Sequence, residues 1–261
     1  MTVGFLSVLS GLSLSGAFVS GLVGVGGAIV MIPLLLFGPP VLGVGRLDVK
    51  TVAAVTMVQV FVAALSGVVA HRRRRAVKAE LALVGGVAMG AGALVGAIAS
   101  VYASDHVLLV VFGFMTLVAL ALMFVPIETV GQPVFAEVVE FSRSRAVAVC
   151  LGVGLMAGFV GAGGAFLLVP LLLVFVRVPI RVTIGSSLAI TAVAATAGVA
   201  GKLATGQVPF EPTVAVVLGA VPGAQLGAMV SRRLSGTALR RVLFVVILGS
   251  AVRVWWDLLG Q

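Results

Sequence analysis

GLVGVGGAIVMIPLLL, residues 21–36, decides how this chain is read. The stretch is apolar throughout, as a membrane segment must be. Yet Gly21, Gly24, Gly26 and Gly27 crowd its first half, and Pro33 follows six positions after Gly27. Glycine admits backbone turns that other residues resist, and proline removes a helical N–H donor. The pattern predicts a helix that breaks inside the bilayer.

The pattern occurs twice. Gly21–Phe37 laid over Gly158–Val174 is identical at 10 of 17 positions, including Gly24/Gly161, Gly26/Gly163, Gly27/Gly164, Pro33/Pro170 and the leucines that follow. A fixed offset between similar stretches marks an internal repeat. The match resumes at Gly92–Ala97 against Gly223–Ala228, with six extra residues in the first copy around GPPVLGVGRLD. The chain divides into repeat 1 at 1–127, a linker at 128–145 and repeat 2 at 146–261. In the linker, Val134, Phe135, Val138, Val139 and Phe141 fall on one side of a short helix, which predicts an amphipathic segment at the cytoplasmic membrane surface.

Composition places both repeats in lipid. The 261 residues are 61% hydrophobic and 10% charged, against about 25% charged in soluble domains. Mean hydropathy is +1.29. Eight apolar segments follow, roughly 5–37, 49–70, 81–102, 107–126, 146–176, 182–201, 212–231 and 238–258, each long enough to cross a bilayer at about 20 residues. No basic leader precedes the first, so no signal peptide is expected. The single cysteine, Cys150, excludes a disulfide within the chain. No nucleophile–base pair or metal cluster is visible, so the expectation is no enzyme activity, no cofactor and no metal. The net charge of +9 reads as a positive-inside signal rather than as nucleic-acid binding, with Arg72–Arg75 as a cytoplasmic anchor.

Charge then sets topology. If each glycine-rich segment crossed once, the 17 Lys and Arg would divide nine against eight. If each is a hairpin that leaves on the side it entered, the division is thirteen against four, with Arg46, Lys50, Lys202 and Arg253 alone outside. The second division is the expected bias. The first segment, 35 residues, would as a straight helix reach about 52 Å, so two legs of about 16 residues are expected, either re-entrant or as short full spans. The expected fold is an all-α integral membrane protein of two inverted repeats, each a glycine-broken helical hairpin plus three transmembrane helices, with both termini outside.

Such repeats with interrupted helices hold their ligand near the midplane. Helix N-termini carry free N–H donors and a partial positive charge, which suits an anion. The expected substrate-binding residues are Gly24, Gly26, Gly27, Gly161, Gly163 and Gly164, with the neutral polar groups Thr56, Gln59, Ser186, Ser187, Thr191 and Gln225. Pro33 and Pro170 are expected to break helices. Gly92, Gly96, Gly223 and Gly227, spaced GxxxG, are expected to pack helices. No Asp or Glu falls mid-span, so no buried carboxylate relay is expected; coupling would instead use a substrate-borne proton or His71 at a helix end.

The paired motifs GLVGVGGAIVMIPLLL and GFVGAGGAFLLVPLLLV resemble the TauE/SafE family of membrane proteins, the sulfite exporters. The resemblance covers nearly the whole chain. It implies secondary transport of a sulfur oxyanion such as sulfite or an organosulfonate, with export favoured, in the bacterial inner membrane. The alternatives are a channel-like anion facilitator and an uptake permease for an organosulfonate or carboxylate. The expected partners are a small anionic substrate and the lipid bilayer, with proton or sodium coupling and a homodimer left open.

Overall fold

The computed structural model describes residues 3–23, 27–72, 77–125, 141–231, 234 and 236–260. The chain there is all-helical: α1 (Val3–Val23), α2 (Ala28–Val41), α3 (Val49–Arg72), α4 (Ala79–Ala99) with a 3₁₀ turn at Ser100–Tyr102, α5 (Asp105–Met123), α6 (Arg143–Val160), α7 (Ala165–Leu171) running into a π turn at Leu172–Val176, α8 (Ile180–Ala204), α9 (Phe210–Ser231) and α10 (Gly236–Leu259). Seven helices among the described residues are long and apolar enough to cross a membrane; Ala28–Val41, Val49–Leu65 and Ala165–Val176 are shorter apolar helices. Of the linker, residues 128–140 lie outside the described residues. Arg143 already begins α6.

Side-chain contacts sort the helix ends into two groups. Arg143 pairs with Glu80 at 2.6 Å, and the Lys78 N–H donates to Ser186 Oγ at 3.0 Å, so α4, α6 and α8 begin together. At the other end the Val49 N–H donates to Asp105, Lys50 Nζ donates to the Val101 carbonyl, and the Phe5 ring lies against Gly45. That end gathers the starts of α1, α3 and α5. Each glycine-rich unit therefore returns to its own side. The α1–α2 unit begins and ends where α3 starts, and the α6–α7 unit where α8 starts.

The legs of these units are unequal, which corrects the expectation of two legs of about 16 residues. α1 has 21 residues and reaches about 31 Å, while α2 has 14 and reaches about 21 Å. α6 has 18 residues and α7 only seven before its π turn. Nor does Pro33 break its helix: α2 continues through Pro33, Pro39 and Pro40. A proline at 33 withdraws the N–H that Ile29 O would accept in a regular helix. Ser250 of α10 supplies a donor instead, 2.7 Å from that carbonyl. Pro170 stands two residues before the π turn begins at Leu172, a distortion that a missing N–H favours.

Glycine lets the long legs pack. In lipid, helices gain little from hydrophobicity alone and depend on close backbone approach. Gly92 and Gly96 of α4 lie against the α6 backbone at Leu151 and Leu155, and Gly154 and Gly158 of α6 lie against Met89 and Ala93. The order of these contacts makes α4 and α6 parallel. α9 runs parallel to α1 in the same manner, with Gly219, Gly223 and Gly227 against Ser10, Leu14 and Phe18, and Gly21 against Ala224. Ser10 and Ser13 add hydrogen bonds to the Ala215 and Val216 carbonyls at 2.7 and 2.6 Å. The two halves thus trade helices: the fourth of each packs on the first of the other.

Two outcomes test this architecture. Gly158→Ala forces a Cβ into the Ala93 backbone and is expected to destabilise by about 1–3 kcal/mol. Gly152→Ala, on the same helix but facing open space, is expected to be neutral or slightly stabilising; thermal unfolding in detergent reads both. In a Cys150→Ser background, Ser104→Cys and Ser144→Cys are expected to react with an impermeant maleimide from opposite membrane faces. Labelling from one face rejects the arrangement of ends.

Candidate functional site

The two glycine turns meet on the middle of α3. Gly27 caps α2 at φ 81 with no side chain capping it. A Cβ there would meet the Ser20 side chain at 2.5 Å and Gln59 Nε2 at 3.3 Å. Gly161, at φ 77, closes α6 and lies against the Ala53 backbone, while Gly163, at φ 61, lies against the Val60 side chain. Gly164, at φ 70, caps α7, again without a side-chain cap. These positive φ values fall where a Cβ is strained. Residues 53–60 of α3 therefore pass the first turn at Gln59 and the second at Ala53 and Val60. Gly24 and Gly26 lie outside the described residues, and so does the side chain of His71.

This same stretch of α3 holds polar atoms with nothing to bond. Thr56 Oγ1, Gln59 Oε1 and Gln59 Nε2 are buried without a hydrogen-bond partner, as is Thr191 Oγ1 on α8. All three residues are fully buried, at 0% exposure. Almost every buried polar group in a folded protein is paired, and an unpaired one costs about 1–3 kcal/mol. Beside Gln59 stand the first-turn N–H groups of α2. The first intrahelical bonds there are donated by Val30 and Met31 to Gly27 O, which leaves Ala28 and Ile29 without helix acceptors. α7 has a matching open turn, its first bonds donated by Leu167 and Leu168 to Gly164 O. It is too short before the π turn for a strong end dipole.

The other sequence-predicted residues are placed elsewhere. Ser186 Oγ accepts from the Lys78 N–H, near the start of α8, and Ser187 Oγ donates to Ile184 O at 3.0 Å. Both are satisfied locally. Gln225 is exposed on the outside of α9. Gly223 and Gly227 face α1, and a residue two positions on from Gly223 turns about 200° away, so Gln225 cannot share their face. Gly92, Gly96, Gly223 and Gly227 sit in the α4–α6 and α1–α9 contacts described above.

Sequence reasoning missed Ser20, buried beside Gly27. Its position in the second repeat is Ala157, so the repeat carried no signal for it. A separate cavity of about 410 Å³ opens at the end where α3 begins, lined by Phe37, Arg46, Asp105, His106, Arg253 and Asp257 among others; none of Thr56, Gln59 and Thr191 lines it.

Removing the orphan polar atoms without changing shape tests their cost. Thr56→Val and Thr191→Val are expected to leave the melting temperature unchanged or raise it, by the equivalent of up to about 2 kcal/mol. A marked loss of stability would mean that these hydroxyls have structural partners.

Along nearly its whole length the chain is similar to known membrane transporters. The family profile described as "Sulfite exporter TauE/SafE" matches residues 8–254. A Bacillus subtilis protein named "Probable membrane transporter protein YunE" is 27% identical over 259 residues, covering 92% of this chain and 94% of its own length. A "Probable membrane transporter protein" of Xylella fastidiosa strain Temecula1 is 28% identical over 264 residues, covering 98% and 97%. No solved structure matches the chain significantly.

Proposed function

The chain belongs to the sulfite exporter TauE/SafE family and is a multi-pass membrane transporter, not an enzyme; on that premise we propose that its cargo is a small sulfur oxyanion of the sulfite or organosulfonate type, bound at mid-depth by α3 and the two glycine turns. One observation carries the reading: Thr56, Gln59 and Thr191 keep buried polar atoms without partners, beside a helix N-terminus that no side chain caps. An oxyanion supplies the acceptor that the two hydroxyls and the Gln59 amide N–H lack. It accepts from the Thr56 and Thr191 hydroxyls, the Gln59 amide and the Ala28 and Ile29 N–H groups. Charge-assisted bonds of this kind are each worth about 1.5–3 kcal/mol, and the α2 dipole adds about 0.3–2 kcal/mol. None of these donors is charged, so binding is strong enough for capture and weak enough for release.

We further read the chain as two inverted repeats, 1–127 and 146–261. Three observations support this: the identity of the glycine motifs, the traded pairs α1–α9 and α4–α6, and the start of α1 and of α6 at opposite ends of the molecule. In this reading the end with Lys78, Arg143 and Arg145 is cytoplasmic, because it carries the greater positive charge. Alternating access then moves one pair of traded helices against the other, around a site that stays at mid-depth. Export is the direction proposed.

A thermal-shift series on the purified protein tests the cargo class, with sulfite, thiosulfate, sulfoacetate, taurine and simple carboxylates as ligands. Sulfite or an organosulfonate is expected to raise the melting temperature of the wild type, and Gln59→Leu is expected to abolish that rise while folding normally. A response to carboxylates alone rejects the sulfur oxyanion and keeps an anion site.

A further inference from the structure

Lys202 is the one fully buried charged side chain among the described residues, at 0% exposure. It sits in the last turn of α8. Its Nζ donates to Ser100 Oγ at 3.0 Å and to Gln207 Oε1 at 3.1 Å. Ser100 Oγ in turn lies 2.6 Å from Ala97 O, and Gln207 Nε2 donates to Ala97 O at 3.1 Å and to Thr205 Oγ1 at 2.7 Å. Lys50, from the start of α3, donates its Nζ to Val101 O at 2.9 Å, near enough for the two ammonium groups to repel. The acceptors around both lysines are thus neutral oxygens. A buried ammonium without a counter-charge is costly, and an ionisable group kept inside a membrane protein marks a ligand path more often than a structural contact.

The phase of α8 connects this lysine to the orphan cluster. Thr191 and Lys202 are eleven residues apart, which is three turns to within about 20° and about 16 Å along the axis. They face the same way. The residues between them on that face are Ala194, Ala195 and Gly198, all small and buried. Gly198 lies against the thioether of Met57, the α3 residue next to Thr56. Methionine is unbranched and adaptable, so a change of its rotamer opens the face without moving a helix.

We propose that Lys202, with Ser100 and Gln207, forms a second oxyanion-binding station at the end of the molecule where α3 begins, connected to the central site along the small-residue face of α8 and closed off by Met57. This rests on the central site proposed above. The cargo replaces Gln207 Oε1 as the acceptor for the ammonium and takes further bonds from the Ser100 hydroxyl and the Gln207 amide. Lys50 adds a second positive charge. The hydrogen bonds among Lys202, Ser100 and Gln207 hold the ends of α4 and α8 together while the station is empty, and an arriving anion competes for them. The chemical class of ligand is a small oxyanion, and the station selects for charge where the central donors select for shape.

Full-length protein in proteoliposomes tests the assignment, with sulfite and thiosulfate applied to the face that labels at Ser104→Cys. Lys202→Met is expected to raise the apparent KM on that face by about ten-fold and to flatten its dependence on ionic strength, the signature of lost electrostatic attraction. Lys202→Arg is expected to stay within about three-fold of the wild type, since it keeps the charge. The Lys202→Met protein should keep its sulfite-induced thermal shift, because the central site is intact. An unchanged KM in Lys202→Met overturns the proposal, and so does a Lys202→Arg variant as defective as Lys202→Met, which would make the residue structural. Wild-type flux that Gln59→Leu removes and Lys202→Met leaves untouched rejects the second station alone. A wild type that neither binds nor moves either anion rejects both sites.

Discussion

Hydrocarbon offers no partner to a backbone N–H, and the rest of this structure follows from how the chain meets that constraint where its helices stop at depth. A helix that ends inside lipid exposes donors that must be covered by protein or face a polar cavity. Here the chain turns back at Gly27 and at Gly161–Gly164, with four positive-φ glycines and no side-chain caps. α3 covers both turns at once, through Ala53, Gln59 and Val60. The same constraint explains Ser250, whose hydroxyl meets the carbonyl that Pro33 leaves without a donor. At Thr56, Gln59 and Thr191 no protein group reaches the buried polar atoms, which is what the proposed cargo would supply.

The traded helix pairs frame this arrangement. Gly21, Gly219, Gly223 and Gly227 join α1 to α9, and Gly92, Gly96, Gly154 and Gly158 join α4 to α6, each by backbone against backbone. Such contacts are close and specific, and each ties one half of the chain to the other. Neither half buries its first helix alone. The glycines of the turns and the glycines of the pairs therefore have separate places, one at the candidate site on α3 and the other in the frame around it.

The glycine motif and its copy made the hairpins legible, because a break repeated in an apolar context has few other causes. Helix identities were legible for the same reason: α8 and α9 start within two residues of the sequence reading. The inequality of the legs was not, since nothing local to Gly24–Gly27 tells how far α1 travels before it turns. Thr56, Gln59 and Thr191 were found by asking which polar groups fall mid-span. Ser186 and Ser187 met the same criterion, yet they have backbone partners near the start of α8, and only the fold separates the two cases. Gln225 was misplaced because its helical phase relative to Gly223 and Gly227 was not weighed. Lys202, one residue past the apolar run 182–201, counts in the sequence among the four outside charges; its burial depends on Ser100, 102 residues away, and on the turn that brings Gln207 back to it.

The contrast between the central residues and Lys202 bears on how a transporter tells its cargo from other anions. A fixed charge attracts any anion, and it holds a divalent one more tightly than a monovalent one. Placed at mid-depth, it would slow release on both sides. The proposed central site instead has hydroxyls, an amide and the open end of α2, whose pull is directional and fades beyond the first turn. A tetrahedral or pyramidal oxyanion presents three oxygens to such donors, whereas a planar carboxylate presents two. Discrimination between them therefore follows from the number of orphan donors satisfied, and each donor left unpaired by the wrong anion costs about 1–3 kcal/mol. A site built this way favours its cargo through the bonds a competitor leaves unmade, and it does so without a charge that would have to be neutralised each time the cargo departs.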